Sequence, residues 1–192
     1  MRILLNDDLS DHHCKQVLAV SSDVELVRPA SREELLEQMP QANAVFGSMD
    51  REMFRRAERL QWVQTWGAGV DGILFKEFVE SEVVLTSAKG TVGVHLADHA
   101  MALLLSLTRG IVRAVREPGW GPKMDIRNAV WELVNRTLGV VGLGGTGREL
   151  AMRASAFGLR VIAVDPEKVE VPQCMDACWG MDRFSELLSI SD

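Results

Sequence analysis

The sequence predicts an α/β protein built from parallel sheets. Short apolar runs alternate with helix-period stretches, turn residues stand at the junctions, and two glycine-rich loops directly follow apolar runs. At 192 residues, 47% hydrophobic and 25% charged, the chain carries ample material for a core. Disorder and a small disulfide-stapled scaffold are excluded.

Residues 2–5, 24–27, 44–46, 60–65 and 83–86 read as buried strands, each bounded by turn or polar residues. Between the second and third, Ser31 and Glu34 have capping-box spacing, Leu35, Leu36 and Met39 follow, and Pro40 stops the helix. A second helix starts at Asp50 and places Met53, Phe54 and Ala57 on its buried face. His12, His13 and Cys14 read as a solvated turn and helix start. Strand–helix alternation of this kind implies βαβ units, so residues 1 to about 90 are expected to form a flavodoxin-like doubly wound domain.

From 94 to 116, apolar residues recur at Leu96, Ala100, Leu103, Leu104, Leu107, Ile111 and Val115, the spacing of one long amphipathic helix. Such a helix is longer than a sheet domain needs and is expected to link two domains or support a subunit contact. Pro118, Gly119, Trp120, Gly121 and Pro122 break it. Residues 137–143 form the next strand; Leu150, Ala151, Ala154 and Phe157 mark the helix after it, and Gly158 closes that helix. Residues 159–164 are a further strand ending at Asp165, and 185–190 end another helix, with a third strand expected to begin where the sequence stops at Asp192.

Gly142, Gly144 and Gly147 form a G-x-G-x-x-G element between a predicted strand and a predicted helix. The first glycine permits the tight turn, the second admits a pyrophosphate to the backbone, and the third lets helix and strand pack closely. Loop N–H groups and the positive helix end would hold the phosphates. Alone the pattern is weak, since glycines that merely end a strand look similar. Asp165, 18 residues after Gly147 at the end of the next strand, is placed for an adenosine ribose and favours NAD over NADP. The expected architecture here is a Rossmann domain. Gly67, Ala68 and Gly69 form a second small-residue loop after a strand, which suits either a carboxylate held by bare N–H groups or an ordinary turn.

The formal charge of −6 and dispersed Lys and Arg argue against nucleic acid as a partner. Three cysteines, Cys14, Cys174 and Cys178, with no apolar signal segment after Met1, suit a reducing cytoplasmic setting, and no run is long enough to cross a bilayer. His95 and His99 stand at i, i+4, yet no third metal ligand with its own context follows, so no metal site is expected. Cys174 and Cys178, also at i, i+4, read as core or surface thiols. Trp66 is placed to line a pocket or simply to pack, and Lys89 to hold an anion or remain solvated.

Residues 60–71, the stretch from Gly90 through Ala97, Asp98 and His99, residues 137–147 and Val164-Asp165-Pro166 together resemble the D-isomer-specific 2-hydroxyacid dehydrogenases. The resemblance covers nearly the whole chain, with Asp98 replacing a more usual Glu. It implies a substrate domain over 1–93 lacking its C-terminal return, a linking and dimerisation helix over 94–117, and the first half of a truncated NAD-binding domain over 118–192. It assigns the N–H groups of Ala68 and Gly69 to a substrate carboxylate, Gly145 and Thr146 to the NAD pyrophosphate, and Asp165 to the ribose. The implied activity is NAD-dependent oxidation and reduction at the CH–OH group of a small D-2-hydroxy acid, in a homodimer. The Arg, His and acidic residue that perform such chemistry carry over to no residue here and are expected beyond Asp192. The alternative is a truncated, non-catalytic fragment that binds nucleotide or dimerises.

Overall fold

The computed structural model describes residues 1–117, 119 and 123–192. The chain divides into two compact units, Met1–Lys89 and Gly90–Asp192.

In the first unit, strands β1 (Arg2–Leu5), β2 (Glu25–Val27), β3 (Ala44–Phe46), β4 (Trp62–Gln64) and β5 (Val84–Thr86) form one parallel sheet in the order β2-β1-β3-β4-β5. This is the flavodoxin-like order, in which the chain reverses direction across the sheet after β2. Helices α1 (Asp11–Leu18), α2 (Arg32–Gln38), α3 (Arg51–Arg56) and α4 (Lys76–Val79) connect the strands. Alternate strand residues point to opposite faces and build a core on each. Leu4, Val45 and Val63 pack with Leu35, Leu36, Met39, Met53 and Phe78, whereas Ile3, Leu5 and Ala44 pack with Leu9, Cys14 and Val17.

The helix starts follow from their caps. Ser31 Oγ accepts from the Glu34 N–H at 3.2 Å, and Asp50 Oδ1 accepts from the Met53 N–H at 2.9 Å. The Glu34 carboxylate accepts from the N–H of Ala30 at 2.7 Å, one residue before the cap. Pro40 ends α2 by tightening the chain into a single 3-10 turn, Met39–Gln41.

The second unit contains α5 (Gly93–Thr108), α6 (Ile111–Arg116), α7 (Lys123–Ala129), β6 (Thr137–Val141), α8 (Gly145–Ala156), β7 (Arg160–Val164), β8 (Ala177–Trp179) and α9 (Phe184–Ile190). Its strands form a parallel sheet in the order β6-β7-β8. The third strand therefore lies at 177–179, before the last helix rather than at Asp192 where it was expected. Its three residues, Ala177, Cys178 and Trp179, are all half-buried and too few to show a period.

The helix expected over 94–116 is two helices. Gly110 adopts a left-handed conformation, φ +64°, which ends α5 and turns the chain into α6. The Pro- and Gly-rich break at 118–122 lies outside the described residues apart from Gly119. Within α5 the buried face is Gly93, Ala97, Met101 and Thr108. The bulkier stripe faces outward, with Leu103 59% and Leu107 75% exposed. Small residues face inward because α5 packs on α8, which presents Gly147, Ala151 and Ala154. Side chains of that size let two helices approach closely.

Candidate functional site

Both glycine loops leave the carboxyl ends of parallel strands, where open α/β sheets place their ligands. In the second unit, β6 runs into Gly142, whose φ of +92° gives the turn. A Cβ on Gly147 would lie 2.1 Å from the Gly142 carbonyl oxygen, so only glycine permits the first turn of α8 to sit against the strand end. Gly144 caps α8 with no side-chain hydrogen bond, leaving the amides of the first helical turn without intrahelical acceptors. A Cβ on Gly144 would meet nothing within 4 Å. A loop that is tight behind and open in front, with N–H groups at a helix start, suits a phosphate.

Asp165 directly follows β7 and is buried. Its Oδ2 accepts from the Leu143 N–H at 2.6 Å and its Oδ1 from the Glu167 N–H at 2.8 Å. These two bonds, Leu143 first, hold the carboxyl below its ordinary titration range, with Arg148 adding to the effect. Each carboxylate oxygen keeps a further lone pair for a hydroxyl. Asp165 thus ties the glycine loop to the end of β7, a role that spacing alone did not reveal. Beside it, burial and then the Asp165 charge push the Cys178 thiol up, so it is protonated at neutral pH. Both Cys174 and Cys178 are free, half-buried thiols packed on the second unit's core.

Asp98, on α5, receives Arg153 Nε at 2.5 Å, and Arg153 Nη1 also reaches Glu149 at 2.6 Å. This links α5 to α8 beside the glycine loop. Gly93 brings the helices closer still, since a Cβ there would lie 3.1 Å from the Gly145 carbonyl carbon and oxygen and 3.4 Å from the Thr146 nitrogen. Gly93 stands about 50 residues before the loop and belongs to no glycine motif, so only the packing of α5 on α8 brings it there. His95 and His99 are exposed on the same helix.

In the first unit, the loop after β4 is held from behind. The Gly67 carbonyl accepts from the Thr65 hydroxyl at 2.8 Å and from the Ala88 N–H at 3.1 Å. Among the described residues the amides of Ala68 and Gly69 donate to no protein acceptor. Trp66 is 60% exposed and stands edge-on to Phe46, ring centroids 5.6 Å apart. Asp7 after β1, Ser48 and Met49 after β3, and Thr65, Trp66, Gly67, Gly69 and Val70 after β4 enclose a cavity of about 300 Å³. Lys89 does not line it. Asp7 and Ser48 escaped the sequence reading. The signal for them was positional, since β1 and β3 flank the point where the strand order reverses.

Residues 101–192 match the family described as D-isomer specific 2-hydroxyacid dehydrogenase, NAD binding domain. The chain is 31% identical over 170 residues to a D-3-phosphoglycerate dehydrogenase of Methanocaldococcus jannaschii, covering 86% of this chain and 32% of the relative. It is 29% identical to a hydroxypyruvate reductase of Thermotoga maritima, covering 88% of this chain and 56% of that protein. Among solved structures, a glyoxylate reductase from Paecilomyes thermophila superposes with a TM-score of 0.76 at 26% identity, covering 100% of this chain and 63% of the other. The chain thus spans about a third of the length of the first relative and somewhat over half that of the other two.

Proposed function

Because the chain belongs to the D-isomer specific 2-hydroxyacid dehydrogenase family, we propose that it carries the cofactor loop and the substrate-carboxylate loop of an NAD-dependent oxidoreductase acting on a small D-2-hydroxy acid. The observation that carries this reading is the loop from Gly142 to Gly147, closed behind by Gly147 and open in front of Gly144. The amides of Gly145 and Thr146 hold the pyrophosphate, and Asp165 accepts from the ribose hydroxyls while anchoring the loop through Leu143. Bound NAD supplies the hydride acceptor or donor. The amides of Ala68 and Gly69, with no protein acceptor among the described residues, hold the substrate carboxylate.

Calorimetric titration of NAD tests the cofactor half. The wild-type chain binds weakly and Gly144→Val abolishes binding without altering the far-ultraviolet circular dichroism; undiminished binding by the variant would remove this loop from the site. The group that polarises the keto acid and the group that moves the proton are assigned to no residue here. The 192-residue polypeptide by itself therefore reduces none of glyoxylate, hydroxypyruvate or pyruvate with NADH, and a clear turnover rate from the pure chain would overturn this.

A second reading, a nucleotide-binding fragment that dimerises, is favoured by the exposed stripe of Leu96, Leu103 and Leu107 on α5. The two readings share the NAD loop and differ in whether chemistry accompanies it. Among the described residues no helix is long and apolar enough to cross a membrane, and no group of three candidate ligand side chains is positioned for a metal ion.

A further inference from the structure

The cavity at the ends of β1, β3 and β4 has one charged wall. Asp7 is the only ionisable group among the described residues that line it; the rest are Ser48, Thr65, small residues and apolar ones. Lys89, beside Ala88, does not line the cavity, and the arginines at the starts of α2 and α3 are paired with carboxylates. Arg32 pairs with Asp50 at 2.5 Å and Glu52 at 3.3 Å, and Arg51 pairs with Glu77 at 3.9 Å. Asp7 itself is fixed in place, because its backbone N–H donates to the Phe46 carbonyl and its side chain fills the space beside Gly47, where a Cβ would lie 2.8 Å from the Asp7 carboxyl carbon. Ser48 is likewise held, its carbonyl and hydroxyl accepting from Asn6 Nδ2 at 2.7 and 3.0 Å.

We propose that this cavity takes an unphosphorylated 2-hydroxy or 2-keto acid whose remaining substituent is neutral and donates a hydrogen bond, a hydroxyl above all, and that Asp7 is the residue that rejects a phosphorylated acid. The proposal rests on the reading that the amides of Ala68 and Gly69 hold the carboxylate. With one anion neutralised by those amides, a second anion on the same small molecule meets no cation among the described residues that line the cavity of about 300 Å³ and faces the Asp7 carboxylate. A hydroxyl in the same place donates to that carboxylate. The volume admits phosphorylated and unphosphorylated three-carbon acids alike, so charge and not size makes the distinction. This substrate class is not the phosphoglycerate for which the Methanocaldococcus relative is named.

The test is a proton–nitrogen correlation titration of the 192-residue chain with D-glycerate, D-lactate and 3-phospho-D-glycerate, following the amides of Gly67, Ala68 and Gly69. The expected order is glycerate, then lactate, then phosphoglycerate, the last weaker than glycerate by about tenfold or more. Asp7→Asn brings phosphoglycerate to within about threefold of glycerate, and Ser48→Arg, which adds the missing cation, strengthens phosphoglycerate binding independently. Phosphoglycerate binding the wild type as tightly as glycerate, or a gap unchanged in Asp7→Asn, overturns the role of Asp7 while leaving the carboxylate loop standing. If none of the three acids moves the amides of Gly67–Gly69, the carboxylate reading fails first and this proposal with it.

Discussion

Asp165 couples a charge to a backbone, so its protonation state acts on the loop as well as on a ligand. Its carboxyl is held low in the folded chain by the N–H groups of Leu143 and Glu167. A depressed folded value contributes stability above the ordinary carboxylate range and loses it as pH falls through the folded value. Acid titration of the wild type is expected to show that loss, and Asp165→Asn to remove it, because an amide does not titrate in this range; identical acid profiles would refute the coupling. Gly147 works by exclusion. With the Gly142 oxygen 2.1 Å from an added Cβ, Gly147→Ala is expected to lower stability by about 2–3 kcal/mol in urea unfolding, since backbone rather than a side-chain tip must move.

The packing of α5 on α8 transmits position to the loop from Gly142 to Gly147 through Gly93. Gly93→Val pushes on Gly145 and Thr146, and NAD affinity is expected to fall about tenfold while most of the helix content remains. Unaltered affinity would show that the loop tolerates the displacement. Much of this unit was legible beforehand. The apolar run into glycines gave the strand, the loop and α8, and the spacing to Asp165 gave the end of β7. In the first unit Ser31 and Asp50 announced their helices, because a cap is a local bond between near neighbours. The buried face of α5 was not legible. Both of its faces are apolar, and the choice between Leu103 and Ala97 is made by how closely α8 approaches, which depends on glycine and alanine in a distant stretch. Asp7 and Ser48 were illegible for a related reason. Neither belongs to a motif, and only the sheet order brings them beside Gly69.

For the molecule as a whole, the outward stripe of α5 is the feature with the widest reach. Leu103 and Leu107 expose more than half their surface on one helix, and such patches mark association surfaces more often than idle ones. Sedimentation velocity is expected to show a concentration-dependent dimer that Leu103→Glu with Leu107→Glu converts to monomer; a wild-type chain monomeric at all concentrations would dismiss the stripe as an interface. Gly69 and Gly144 raise a different matter. A methyl group on either would touch nothing, and neither has a positive φ. Folding therefore exerts no steric demand for glycine there. In a mutagenised population selected only for stable, soluble chain, these two positions should drift freely to alanine and serine while Gly147 does not. Glycine retained at 69 and 144 in a population selected for activity would then record the pressure of a bound molecule, separated from the pressure of the fold.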